Sequence, residues 1–249
     1  MSGHSKWSQI KRQKGVNDAK RGAVFTKVSR EITIAAREGG ADPDGNFRLR
    51  LAMEKARSVN MPTENIKRAI ERAAGAGEGA KFEEIVYEGY GPGGVAVIVE
   101  VATDNRNRTA ADVRSIFTKA GGQLSSAGSV AWQFEPRGVI SISRRGDAEE
   151  IALMAIDAGA EDVDTDADPL EIYTAPGDLD RVRRALADTG VKIESAELSM
   201  QAKNTIEVDL PRARANLRLI ENLEDHDDVQ RVTANFDIPD EMLAEAASA

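Results

Sequence analysis

The sequence predicts an α+β protein of several domains: an N-terminal three-helix bundle followed by two α+β domains, the last ferredoxin-like and inserted in the middle one. Three observations predict it. Apolar residues recur at intervals of three and four through the first 81 residues, the texture changes to short β-rich runs at Phe82, and from Gly138 the elements follow the order βαββαβ. A length of 249 residues suits two or three domains better than one.

The first helix is expected over Asp18 to Glu38, where Val24, Phe25, Val28, Ile32, Ala35 and Ala36 share one sector and Lys20, Lys27, Arg30 and Arg37 lie opposite. Gly39 and Gly40 end it. Glu31 and Glu38 border the basic stripe, and Arg21 falls on the apolar side in the first turn. Asp44 can cap a second helix through about Val59, with Leu49, Ala52, Met53 and Ala56 inward. Pro62 and Thr63 open a third, with Ile66, Ala69, Ile70 and Ala73 as its stripe. Short amphipathic helices cannot bury their stripes alone, so a bundle follows. The run AAGAGEGAK, ending at Lys81, reads as a hinge.

Beyond it, FEEIVYEGY and GVAVIVEVAT read as strands around the turn Gly91 to Gly94. A helix from about Thr109 to Ala120 and a strand SVAWQFEP follow. The ferredoxin-like unit then comprises VISIS, the helix Ala148 to Ala158, AEDVDTD, LEIYTA, the helix Leu179 to Thr189 and SAELSMQ. If that unit closes near Lys203, then IEVD, the helix Pro211 to Asn222 and the strand VQRVTANFDI complete the module begun at Phe82. The expected domains are therefore 1–81, then 82–137 plus 204–249 as one discontinuous unit, and 138–203.

The formal charge of −9 argues by itself against nucleic acid as a partner, but it is an average of opposites. Residues 1–81 carry 17 Lys and Arg against 9 Asp and Glu, a net of +8, while residues 82–249 carry 16 against 33, a net of −17. The absence of cysteine excludes disulfides, thiolate metal sites and cysteine nucleophiles. No apolar run approaches the roughly 18 to 20 residues that span a bilayer, and the N-terminus MSGHSKWSQIKRQK lacks the apolar stretch of a signal peptide. A soluble, cytoplasmic protein with no membrane partner is the expectation.

The opening segment sets Lys6, Lys11, Arg12 and Lys14 around Trp7, a basic strip with one ring able to stack on an unpaired base. The alternative is that Trp7 packs on the bundle while the lysines solvate a mobile terminus. Arg106 and Arg108 in the run DNRNRT form a second basic island that could clamp phosphate. Against that, Thr109 with Asp112 has the form of a capping box, so the run can exist to start a helix. The turn GYGPGG lacks the Lys-Ser or Lys-Thr of a phosphate loop. Asp164, Asp166 and Asp168 begin like a calcium loop, but Pro169 and Ala175 occupy the positions that need Gly and Glu, so the acids read as the solvated face of a strand. Only His4 and His226 are available as imidazole ligands, and no nucleophile elbow occurs, so no metal, cofactor or catalytic residue is expected.

At these same residues the chain resembles the YebC/PmpR family, which includes the mitochondrial translational activator of cytochrome oxidase. The strings that carry the likeness are GHSKW (3–7), DAKRG (18–22), FTKVSREI from Phe25, GGADP (39–43), NMP (60–62), RAI (68–70), YEGYGPGG (87–94), TDNRNRT (103–109), GGQL (121–124), GSVA (128–131) and GVIS (138–141). Phe47, Trp132 and Ala102 depart from the usual pattern without touching the basic strip. The resemblance implies three domains, the third ferredoxin-like and inserted in the second, and a non-enzymatic regulator of gene expression in a family described as DNA-binding transcriptional regulators. Other members act in translation on the ribosome, easing synthesis of proline-rich stretches, so ribosomal RNA is the competing target.

The combined expectation is a nucleic-acid-binding regulator that uses Lys6, Trp7, Lys11, Arg12, Lys14, Lys20, Arg21, Lys27 and Arg30, with Arg106 and Arg108 as a second contact. Few Asn or Gln accompany the basic residues of the first helix, which favours phosphate and shape contact over base readout. Two further readings stay open: an adaptor whose acidic domains bind a basic protein, and a small-molecule sensor in the ferredoxin-like domain. The sequence leaves the oligomeric state open.

Overall fold

The computed structural model describes residues 18–74, 82–143 and 147–237; the greater part of the expected hinge lies outside them. Three helices come first: α1 (Asp18–Gly39), α2 (Phe47–Ser58) and α3 (Thr63–Ala74). The apolar stripe of α1 is the core of this bundle, with Val28, Ile32, Ala35 and Ala36 buried against Leu49, Ala52 and Ala56 of α2 and Ile66 and Ala69 of α3. The buried Thr33 hydroxyl donates to the carbonyls of Ser29 and Ala69 and so ties α1 to α3.

The cap of α2 is Asn46, not Asp44. Its side-chain oxygen accepts from the Leu49 N–H at 3.0 Å while its amide nitrogen donates to the carbonyls of Ala35 and Gly40. One side chain thus starts α2 and closes the end of α1, and a buried position suits Asn because its amide supplies both donor and acceptor. Helix α2 also serves two cores: Leu51 and Phe47 turn away from the bundle into the ferredoxin-like unit.

The middle sheet contains β1 (Glu83–Tyr90), β2 (Ala96–Thr103), β3 (Gln123–Ser125) and β9 (Val229–Ala234) in the order β3-β1-β2-β9. Helices α4 (Arg106–Lys119) and α7 (Leu210–Glu224) cover the face carrying Val97, Val99 and Val101. The opposite face presents Ala96 and Ile98 to Val130 and Phe134. The inserted unit is β4 (Phe134–Ile142), α5 (Ala148–Asp157), β5 (Asp162–Asp164), β6 (Leu170–Thr174), α6 (Leu179–Asp188) and β7 (Ile193–Ala202). Its sheet order β5-β6-β4-β7, antiparallel throughout, is the ferredoxin-like arrangement. The chain then returns to the middle unit through β8 (Ile206–Glu207), α7, β9 and β10 (Phe236–Asp237).

Several local expectations are corrected. SVAWQFEP and VISIS do not form two strands: residues 131–133 make a 3₁₀ turn, and β4 runs unbroken from Phe134 through the 137/138 position. The expected single strand VQRVTANFDI divides at Asn235, whose side chain accepts from the Ala96 N–H and donates to Gln133. Asp166 and Asp168 lie in a turn beyond β5, where the Asp164 carboxylate accepts from the N–H groups of Asp166 and Ala167.

Candidate nucleic-acid interface

The expected contact residues divide into three groups. Lys6, Trp7, Lys11, Arg12 and Lys14 lie outside the described residues, and of Lys20 and Arg21 the structure describes the helical backbone. Lys27 and Arg30 face the rest of the protein. The Lys27 ammonium donates to the Glu224 carbonyl, and Arg30 donates to the Asp227 carbonyl at 2.6 Å and to the Asp228 carboxylate at 2.7 Å. The Arg30 guanidinium also lies 5.2 Å from the centre of the Phe82 ring. Lys27 and Arg30 therefore dock on the acidic end of α7 and the turn that follows it, while Arg37 of the same stripe is exposed.

The DNRNRT run is a helix start, though its cap is Asn105 and not Thr109. The Asn105 side chain accepts from the Arg108 N–H, and α4 begins at Arg106. Thr109 lies inside the helix, fully buried, and its hydroxyl bonds to Thr103 at 2.8 Å and to Asp228 at 2.6 Å. Arg108 pairs with Asp104 and Asp228, both at 2.9 Å. Arg106 is exposed, and its side chain has no ion pair among the described residues.

Asp228 is the centre of this region. Burial pushes its carboxyl up, but the Thr109 hydroxyl, Arg108, Arg30 and Thr103 outweigh that and hold it down at about 2. The Asp228 N–H donates to His226 Nδ1, whose other nitrogen lies 3.3 Å from Asp112, so this histidine is a structural residue of the loop.

A cleft of about 380 Å³ opens between α1 and α3, beside Phe82. Its walls include Arg30, Arg68 and Arg72, the hydroxyls of Thr26, Ser29 and Thr33, and the Asn65 amide, and among the described residues no carboxylate lines it. Arg68 and Arg72 are exposed and have no ion pair among the described residues. Sequence reasoning did not single them out. The available signal was their spacing of four on the side of α3 away from Ile66, Ala69 and Ala73.

The glycine-rich turn is structural. Gly93 and Gly94 have φ near +80°, and the Pro92 carbonyl accepts from Asn216 of α7, so the loop is tied to a helix side. Its neighbour Glu88 is buried and accepts three backbone N–H groups, from Gly128, Val130 and Ala131, at 2.7 to 2.8 Å. Burial raises the Glu88 carboxyl and those three bonds bring it below the usual range. No group of metal-ligating side chains occurs among the described residues.

Residues 5–76 match a family model described as the TACO1/YebC protein N-terminal domain, and residues 82–236 match the TACO1/YebC second and third domain. The chain belongs to the TACO1/YebC family. Proteins named "Probable transcriptional regulatory protein" are similar over nearly the full length: one from Rubrobacter xylanophilus is 56% identical, covering 99% of this chain and 100% of its own, and one from Moorella thermoacetica is 57% identical over 96% of each. A crystal structure of a conserved hypothetical protein from Aquifex aeolicus superposes with a TM-score of 0.85 at 47% identity, covering 90% of this chain and 93% of that one. The TACO1/YebC architecture of a helical domain and two α+β units is the one described above. No helix among the described residues is long and apolar enough to cross a membrane.

Proposed function

We propose that the chain is a non-enzymatic regulator of gene expression that binds nucleic acid through its N-terminal domain, residues 1–81. The observation that carries this reading is the charge polarity, +8 over residues 1–81 against −17 over the remainder, which leaves one end of the molecule able to approach phosphate. The relatives named as transcriptional regulators support the same class of role. Lys6, Trp7, Lys11, Arg12, Lys14, Lys20 and Arg21 form the contact strip, and exposed Arg106 offers a second contact. Lys27, Arg30 and Arg108 hold intramolecular partners, so in this reading they fix the domain that carries the strip.

The engagement of Lys27 and Arg30 bears on the kind of binding. A recognition helix must lay its polar side chains in the major groove, and in the middle of α1 these two are held by residues 224–228. Contact is then made through phosphate and shape, which suits structured RNA or the ribosome as well as DNA.

Fluorescence anisotropy against salt concentration tests the reading. Neutralising about five phosphates gives a slope of about −4 to −5 on duplex and a shallower one on single strands. Binding unaffected by changing Lys11, Arg12, Lys14, Lys20 and Arg21 to Ala overturns it. Ribosome co-sedimentation compared with retention on promoter DNA separates the two targets.

A further inference from the structure

The nucleic-acid reading leaves open which form of nucleic acid the helical domain accepts, and the cleft between α1 and α3 addresses this. We infer that the cleft binds one unpaired nucleotide of a single strand, with Arg68 and Arg72 on the phosphate and the base against Phe25 and Phe82. The inference rests on the nucleic-acid reading above.

Three properties carry it. The lining is selective in composition: among the described residues the cleft contains three arginines, three hydroxyls and an amide and no carboxylate, in a chain rich in Asp and Glu. The exposed arginine forks attract an anion and can donate to it, while the Thr26 and Thr33 hydroxyls are committed to the carbonyls of Gly22 and of Ser29 and Ala69. Second, the arginines have different roles. Arg30 is held and neutralised by Asp228 and stacks on the Phe82 ring, so it shapes the wall without adding net charge. Arg68 and Arg72 are one helical turn apart, exposed and without an ion pair among the described residues, so their guanidinium forks are available to a phosphate from outside. Third, Phe25 and Phe82 are partly exposed and line the same cleft, which adds aromatic surface to the phosphate donors.

The size selects the occupant. A volume of about 380 Å³ lies at the lower end of small-ligand sites and admits one nucleotide, whereas a duplex, with its bases stacked and paired, presents only its backbone to such an opening.

The test uses the full chain, a labelled mixed-sequence RNA of about ten nucleotides, the same sequence as an abasic strand, and a 20-base-pair DNA duplex. Arg68→Ala with Arg72→Ala is expected to weaken RNA binding at least tenfold and to flatten its salt slope by about 0.7, the value for one single-strand phosphate contact. Duplex binding should change no more than it does in the charge-matched control Arg114→Ala with Lys119→Ala, which alters exposed residues of α4. Phe82→Leu keeps apolar volume and is expected to reduce the preference for the base-bearing strand over the abasic one at least twofold. An equal loss in the cleft and control variants, or an unchanged base preference in Phe82→Leu, overturns the inference. If the strip variants abolish binding while the cleft variants leave it intact, the cleft assignment falls and the nucleic-acid reading stands. If the wild type binds none of the three probes at low salt, both fall.

Discussion

Arg30 of the first helix and Asp228 in the turn between α7 and β9 are 198 residues apart in sequence and meet at 2.7 Å. The Asp228 side chain is only 2% exposed, and it also accepts from Thr103, Arg108 and Thr109. One carboxylate therefore joins α1 to β2, α4 and the turn before β9.

Asp228→Ala leaves Arg30 and two buried hydroxyls without their acceptor. Removing one partner of a buried ion pair costs about 3 to 5 kcal/mol, so chemical denaturation should show a loss of that order. Arg108→Ala is expected to cost much less, because that side chain is 49% exposed and the other donors remain on Asp228. Equal effects of the two substitutions contradict the assignment of Asp228 as the centre.

The depressed Asp228 carboxyl makes stability depend on acid. Its folded value of about 2 lies below the ordinary 3.8, so the folded state holds the proton more weakly than the unfolded chain does. The stabilisation, about 2 kcal/mol for a shift of this size, is fully present above pH 4 and is lost as pH falls from about 4 to about 2. Glu88 and Asp180 are lowered as well and add to the same trend. Urea melts between pH 2 and 6 should show a shallower acid decline in Asp228→Asn than in the wild type.

Glu88 supports the loop from Gly128 to Ala131 through three backbone N–H groups. Glu88→Ala strands those donors in a largely buried setting, for an expected loss of about 2 to 4 kcal/mol. The specific signature is amide hydrogen exchange: protection at Val130 and Ala131 should fall more than at Val97 or Val99, which belong to the central strand β2. Uniform loss of protection across these sites refutes the loop-anchoring role.

Much of this architecture is legible in the amino-acid order, and the exceptions share a cause. The apolar stripe of α1 shows through because helical spacing is a local property, and Val28, Ile32, Ala35 and Ala36 all enter the core. The strand β4 was concealed by Pro136 and Gly138, which read as breaks. Pro136 is tolerated because β6 pairs with β4 only from Gly138 onward, so at residue 136 the strand has a neighbour on one side alone. Arg30 and Arg108 look free in the sequence because Asp228, which neutralises both, is 198 and 120 positions away. Charge counted along a chain does not reveal which charges meet in space. Thr109 differs for a similar reason: the sequence suggests a capping hydroxyl, while its partners Thr103 and Asp228 make it a buried bond inside the helix.

Two glycines separate packing from backbone propensity. At Gly138 a Cβ would stand 2.3 Å from the Thr174 hydroxyl and 2.9 Å from the Leu179 Cβ, and both neighbours are fully buried. Neither can retreat without disturbing the contact of α6 with β4 and β6, so Gly138→Ala is expected to cost about 1 to 3 kcal/mol through overpacking. Gly22 lies in α1, exposed, with nothing within 4 Å of an added Cβ. There Ala reduces the freedom of the unfolded chain and adds no clash, so Gly22→Ala should raise stability by about 0.5 to 1 kcal/mol. Denaturation midpoints of the two variants should therefore move in opposite directions, and movement of both in the same direction contradicts the close approach of β4, β6 and α6 at residue 138.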